Sequence, residues 1–336
     1  MKKILSGALA LTLGLSLFAC GGKTTKESTT KVTTTKKTTT TKATTTAAPK
    51  ENVKILTPSG TPLMSIGGLI GAEGIEIEAV NGADPLVSGL STKTHDIIIA
   101  PLTAGAKLSI AGRSEYKLEA VVTTNNTYII SNSTTTLSNI TDLKNKKLVA
   151  YGQNNTPDIA LKNALKTNNI ADNEVDITYE ADVTTAVSMF TAQASEYDFC
   201  LIAEPQLTKL KTNLEAKGKT LNVLDLSNYM STTIYQAGIF VNPSANQTRC
   251  NEVIEEIKAN ITYLNAHPTE YAASIENKNN FFKTMTKEIL AASIPTANIG
   301  FTKASENKTS INAYFTEVNN YKAQILNGMV TDEFYR

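Results

Sequence analysis

Short runs of branched apolar residues recur along this chain. Each is followed by a small or polar turn and then by a segment with apolar residues at every third or fourth position. The first run, 53–56, enters the turn Thr57-Pro58-Ser59-Gly60-Thr61-Pro62. Pro62 suits the first position of a helix with Thr61 as its cap, and the apolar stretch 63–72 continues it, weakened at Gly67-Gly68. Residues 75–80 alternate as a second strand, and 81–90 hold a turn and a short helix. The run 96–100 reads as a buried strand that stops at Pro101 and becomes a helix near Thr103. Strand, helix, strand, helix, strand in so short a span predicts a parallel α/β unit.

The same grammar returns further along. Residues 118–122 and 127–131 are β-branched with Asn125-Asn126 between them, and we read this as the departure from a first lobe. The strand 148–151 ends in Gly152-Gln153-Asn154-Asn155-Thr156-Pro157-Asp158. Thr156 as cap, Pro157 at the first helical position and Asp158 in the first turn predict a helix start. Strands at 175–179 and 197–203 alternate with a helix over 182–194 and another that follows Glu204-Pro205. A short apolar run at 223–226 precedes 233–241, read as the strand that crosses back. Beyond 246 the spacing is helical throughout, over 250–265, 268–275, 281–293 and 310–327. The expected fold is therefore α/β: two lobes joined by two crossover strands, with a helical C-terminus. The lobes fall at 51–130 plus 236–336, and at 131–235.

The first 19 residues form a basic start and an apolar run ending in small residues, which is a secretory signal. Leu17-Phe18-Ala19-Cys20-Gly21 resembles a bacterial lipoprotein processing box. The resemblance implies cleavage before Cys20 and a lipid on its sulfur; two acyl chains then give stable anchoring to the outer face of the cell membrane. Residues 20–50 are rich in Thr and Lys with nothing to bury, so they read as a disordered tether. Charge is divided along the chain. The leader holds Lys2 and Lys3, and the tether holds seven lysines against Glu27. With a formal net charge of +1 overall, the body from 51 onward stands at −7. An acidic body excludes nucleic acid as the expected partner, because phosphate contacts need a basic face.

Catalytic signals are sparse. The chain has two histidines and three cysteines, with no CxxC, HExxH or HxxxH spacing, so neither a metal nor another cofactor is expected. His95 and Asp96 are neighbours on a strand and point to opposite faces. Cys200 lies in an apolar strand and reads as core, and a Cys200–Cys250 disulfide stays open because spacing cannot establish one. No catalytic residue is assigned.

The order of elements, with TPSGTP at 57–62, DIIIAPLTAGAKL at 96–108, YGQNNTPDIALKNAL at 151–165 and FCLIAEPQLTKL at 199–210, resembles the nitrate/sulfonate/taurine-type solute-binding components of ABC importers. That group includes binders of thiamine-pyrimidine precursors. The resemblance implies a type 2 periplasmic-binding-protein-like fold and a non-enzymatic monomer that captures a small solute between its lobes and hands it to a membrane permease. Carried to this chain, the ligand contacts are Ser59, Gly60 and Thr61; Pro101, Leu102 and Thr103; Gln153, Asn154, Asn155 and Thr156; Glu204; and, at the crossing, Asn125 with its neighbour Asn126. Many relatives that bind flat rings use an aromatic clamp. This chain has no Trp, and Tyr151 and Tyr235 are the aromatic faces able to replace it. Two other readings stay open: a surface adhesin or sensor lipoprotein, and a cofactor-precursor enzyme on the same fold.

Overall fold

A computed structural model of the protein describes residues 50–193 and 195–336. The signal segment, Cys20 and the tether up to residue 49 lie outside the described residues. The first α/β unit runs β1 (Val53–Pro58), α1 (Thr61–Ile66), β2 (Ile75–Val80), α2 (Asp84–Thr92), β3 (Ile97–Pro101), α3 (Leu102–Ile110) and β4 (Lys117–Thr124). The second runs β5 (Tyr128–Asn132), β6 (Lys146–Tyr151), α4 (Thr156–Thr167), β7 (Val175–Glu180), α5 (Val183–Ala192), β8 (Phe199–Ile202), α6 (Gln206–Glu215) and β9 (Leu221–Asp225). The chain returns through β10 (Tyr235–Val241) and closes with α7 (Gln247–Ala266), α8 (Pro268–Ile275), α9 (Lys287–Ser293), β11 (Ile299–Lys303) and α10 (Lys308–Lys322).

These strands form two sheets, ordered β11-β4-β10-β3-β1-β2 and β7-β6-β8-β5-β9. Each contains three neighbouring parallel strands, with the earliest of the three in the middle: β2-β1-β3 in one and β7-β6-β8 in the other. A strand that arrives from the other sheet then pairs antiparallel with the third: β10 on β3, and β5 on β8. Right-handed crossovers that run in opposite directions along a sheet, β1 to β2 and then β2 back past β1 to β3, put their helices on opposite faces. Accordingly Leu63 and Met64 of α1 pack on one face of the first sheet, and Leu86 and Leu90 of α2 on the other. Ile97 and Ile99 point into the first of these cores, while Ile98 and Ala100 point into the second. Burial on both faces explains why 97–100 reads as an unbroken apolar run.

The C-terminal segment divides between the two faces of the first sheet. Helices α7, α8 and α9 close the first face through residues such as Ile257, Tyr271 and Leu290. Helix α10 closes the second, where Tyr314 and Phe315 share a core with Ile159 and Ala160 of α4. Two further cores cover the faces of the second sheet. Cys200 and Cys250 are free thiols, buried in different cores.

Three local readings change. The segment after 246 is not helical throughout, because Ile299–Lys303 is an edge strand antiparallel to β4. The open edge of β4 supplies the hydrogen bonds that a five-residue segment cannot make by itself. The expected helix over 281–293 is a 3₁₀ turn at Phe282–Thr284 followed by α9. Thr61 and Thr156 are the first residues of their helices and not their caps. Gly60 and Asn155 occupy the cap positions, and neither makes a side-chain capping hydrogen bond.

Helix α3 sits close to β10 because Gly105 faces Phe240. A Cβ at 105 would lie 2.2 Å from Cζ of that ring. Gly105→Ala is therefore expected to destabilise the protein by about 1–3 kcal/mol, as overpacking of a filled core does, measured by urea unfolding.

Candidate functional site

The carboxyl ends of β1, β3, β6 and β8 point toward one another, which is where open α/β sheets bind ligands. Between them lies a cavity of about 220 Å³. Ser59, Gly60 and Pro101 line it from the first unit, and Asn155, Thr156 and Glu204 from the second. A larger hollow of about 800 Å³ opens beside it and shares Ser59, Gly60, Val183 and Glu204.

The two units are tied at the base of the cavity by Asn126. Its Nδ2 donates to the Thr61 hydroxyl at 2.7 Å and to the Glu204 carbonyl at 3.3 Å, and its Oδ1 accepts from the Glu204 amide at 2.8 Å. The Thr61 hydroxyl in turn donates to the Glu204 carbonyl at 2.8 Å. All three residues are buried. Around this knot the two crossing segments are stitched together. Asn125, in the left-handed region at φ +46°, accepts from the Ile234 amide through Oδ1 at 2.8 Å and donates its own amide to the Ile234 carbonyl. Gln236 accepts from the Asn126 amide at 2.8 Å and donates to the Asn126 carbonyl at 3.1 Å.

The residues singled out in the sequence fall into three sets. Ser59, Gly60, Thr61, Pro101, Asn155, Thr156 and Glu204 come together around the small cavity. Thr103 and Asn154 line a separate recess of about 530 Å³ on the flank, which Asn155 also touches. Leu102, Asn125 and Gln153 line none of these spaces: Leu102 is core, Asn125 holds the crossing strands, and Gln153 is exposed. Tyr151 reaches the cavity, whereas Tyr235 is packed edge-on against Tyr314 at 5.9 Å. Thr123, Val183 and Gln236 also line the cavity and were not singled out. Gln236 left one trace in the sequence, as a polar residue inside the apolar strand TIYQAGIFV.

Two threonines at the strand-to-helix turns keep unspent hydrogen-bonding capacity. The hydroxyls of Thr103 and Thr156 are buried and have no hydrogen-bond partner. The Tyr314 hydroxyl is a neighbour of Thr156 but lies outside bonding geometry. No Lys or Arg among the described residues lines the small cavity, and Glu204 is its one carboxylate. That carboxylate is already satisfied. Oε1 accepts from the hydroxyls of Thr208 at 2.9 Å and Thr296 at 2.8 Å, and Oε2 accepts from the Thr208 amide at 3.0 Å. Burial raises the Glu204 carboxyl above its ordinary value of 4.5, opposed by these hydrogen bonds. Burial likewise raises the Tyr151 hydroxyl, so the phenol stays neutral. Of the histidines, His95 meets Glu78 at 3.3 Å and His267 stacks on Tyr263 at 4.8 Å. Neither lines any of these three spaces.

The family model described as NMT1/THI5 like matches residues 68–271. The chain belongs to the NMT1/THI5-like family. By sequence, no curated protein matches it significantly. Among solved structures, an ABC transporter protein from Parabacteroides distasonis is similar at a TM-score of 0.69 and 17% identity, over 85% of this chain and 99% of that one. The periplasmic aliphatic sulphonate binding protein SsuA of Escherichia coli matches at 0.65 and 13%, over 83% and 90%. The alkanesulfonate-binding protein SsuA of Xanthomonas axonopodis pv. citri, bound to MOPS, matches at 0.62 and 12%, over 83% and 97%. At these identities the likeness establishes a shared periplasmic-binding-protein fold.

Two outcomes follow for this NMT1/THI5-like chain. Asn126→Ala strands the buried Glu204 amide and is expected to cost about 1–3 kcal/mol, read by urea unfolding. The second concerns pH. With its carboxyl raised, Glu204 binds a proton more tightly in the folded protein than in the unfolded chain. Its contribution to stability therefore declines as pH rises above 4.5, and levels off beyond the folded value. Glu204→Gln is expected to remove that slope when unfolding is followed from mildly acid to neutral pH.

Proposed function

We propose that this protein is the solute-binding component of an ABC importer: an extracytoplasmic receptor, lipid-anchored through Cys20, that captures a small solute between its lobes and delivers it to a membrane permease. The observation that carries this reading is the cavity at the facing carboxyl ends of both sheets, positioned over two stitched crossings. We take 125–127 and 234–236 as the hinge about which the lobes close. The sulphonate-binding neighbours and the family support the same class of work.

The chemistry of the cavity favours binding over catalysis. Its titratable groups are Glu204, whose carboxylate is held by two threonines, and Tyr151. A general acid–base pair needs a free group of matched pKa at the reacting atom, and neither group offers one. A space of about 220 Å³ without a cationic side chain suits a compact, uncharged group. Backbone, amide and hydroxyl groups would fix its orientation, and Thr156 would supply the unspent hydroxyl.

The test is native mass spectrometry of the full chain purified gently from rich medium, followed by thermal-shift screening of stripped protein. A true ligand at 100-fold above its Kd adds about 2.7 kcal/mol of stability, and Thr156→Val is expected to weaken it about tenfold. No co-purifying molecule and no shift across a broad solute panel would turn the reading toward an adhesin or sensor. Chemical conversion of a bound solute would turn it toward an enzyme.

A further inference from the structure

The flank recess differs from the cleft in its charge. Lys107, Arg113 and Lys322 line it, together with Asp84, Thr103 and Asn154. Lys107 stands one helical turn after Thr103 on the same face of α3, and Arg113 follows the end of that helix. Lys322 ends α10 and donates to Asn154 Oδ1 at 2.7 Å. None of the three cations forms an ion pair among the described residues. Asp84 is the one carboxylate in the wall, so the recess carries a formal excess of two positive charges.

A second observation is independent of charge. Thr103 lines the recess, is 3% exposed, and its hydroxyl has no hydrogen-bond partner. Buried hydroxyls are nearly always paired in folded proteins, and the exceptions mark places where something else supplies the partner. A threonine in the first turn of a helix has no carbonyl of a preceding turn to bond, so the missing partner must come from outside the helix. The guanidinium of Arg113 donates no hydrogen bond among the described residues. Its planar fork matches two oxygens of a tetrahedral oxyanion.

We propose that this recess is an oxyanion site, in which Lys107, Arg113 and Lys322 hold a phosphate- or sulfonate-type group and the Thr103 hydroxyl completes its shell. Asn155 lines both the recess and the cleft, and Thr103 lies two residues after the cleft residue Pro101. The anion can therefore be a free ion or the charged end of the molecule whose uncharged part fills the cleft. The site itself does not depend on solute capture.

The experiment is equilibrium dialysis of the full chain against labelled inorganic phosphate at constant ionic strength. One phosphate per chain is expected at millimolar concentration or below. The exposed double variant Lys107→Gln/Arg113→Gln, checked for folding by circular dichroism, should weaken binding about tenfold or more. Thr103→Val removes the unpartnered hydroxyl with little change in shape, so it should weaken phosphate several-fold while the ligand-free protein melts no lower. Glycerol 3-phosphate separates the sources. Tighter binding than phosphate that Thr156→Val abolishes assigns the anion to a cleft solute, whereas equal binding assigns a free ion. No bound phosphate, or binding unchanged in the double variant, would overturn the site. Phosphate binding without any cleft ligand would uphold the site and count against solute capture alone.

Discussion

The floor of the small cavity is held by the hydrogen bonds of Asn126. One buried side-chain amide joins the start of α1, in the first unit, to the turn after β8, in the second. The partners are the Thr61 hydroxyl and both backbone groups of Glu204, on residues that are both buried. A buried amide costs little while every group is paired and much when one is stranded. The knot therefore holds the floor of the cavity in one arrangement. Asn125 and Gln236 extend the same logic to the two crossing segments, which bond to each other through side chains as well as backbone.

Polar capacity in this chain is spent in the floor and left unspent at the rim. Glu204 shows the first case. Its position at the end of β8 suggests a charge offered to a ligand, yet both carboxylate oxygens are taken by Thr208 and Thr296. Thr103 and Thr156 show the second. They follow strand-to-helix turns, after β3 and after β6, and both hydroxyls lack a partner. The two turns differ in what surrounds them. Thr156 faces a small cavity with no cationic side chain, and Thr103 a wider recess with three cations. Coulombic attraction acts over a longer range than a hydroxyl and is weakened by salt. The two spaces therefore have different ionic-strength dependence built into them.

The two sheets repeat one plan, β2-β1-β3 and β7-β6-β8, each continued by a strand that arrives from the other sheet. Helix α10 then crosses the repeat. Its Tyr314 and Phe315 share a core with Ile159 and Ala160 of α4, and its last residue, Lys322, reaches Asn154. The C-terminal helix is thus a second link between the units, apolar where the Asn126 knot is polar.

How much of this was legible beforehand follows from what a local pattern can encode. Apolar runs that stop at Pro101 or at Gly152, and three- and four-residue spacing after each turn, determined the α/β class and the position of the turns that line the small cavity. Each of these depends on burial within a single element, which periodicity records directly. Which side chains in those turns remain free was decided only by the tertiary structure. Thr61 and Glu204 are 143 residues apart and meet through one hydrogen bond, and no periodicity within either segment carries that pairing. The same holds for Leu102, which belongs to the core beside Gly238, and for Ile299–Lys303, which is a strand only because β4 has an open edge. Burial is a property of a segment and can be read along the chain. Hydrogen-bond partnership is a property of pairs, and here the pairs were made by folding.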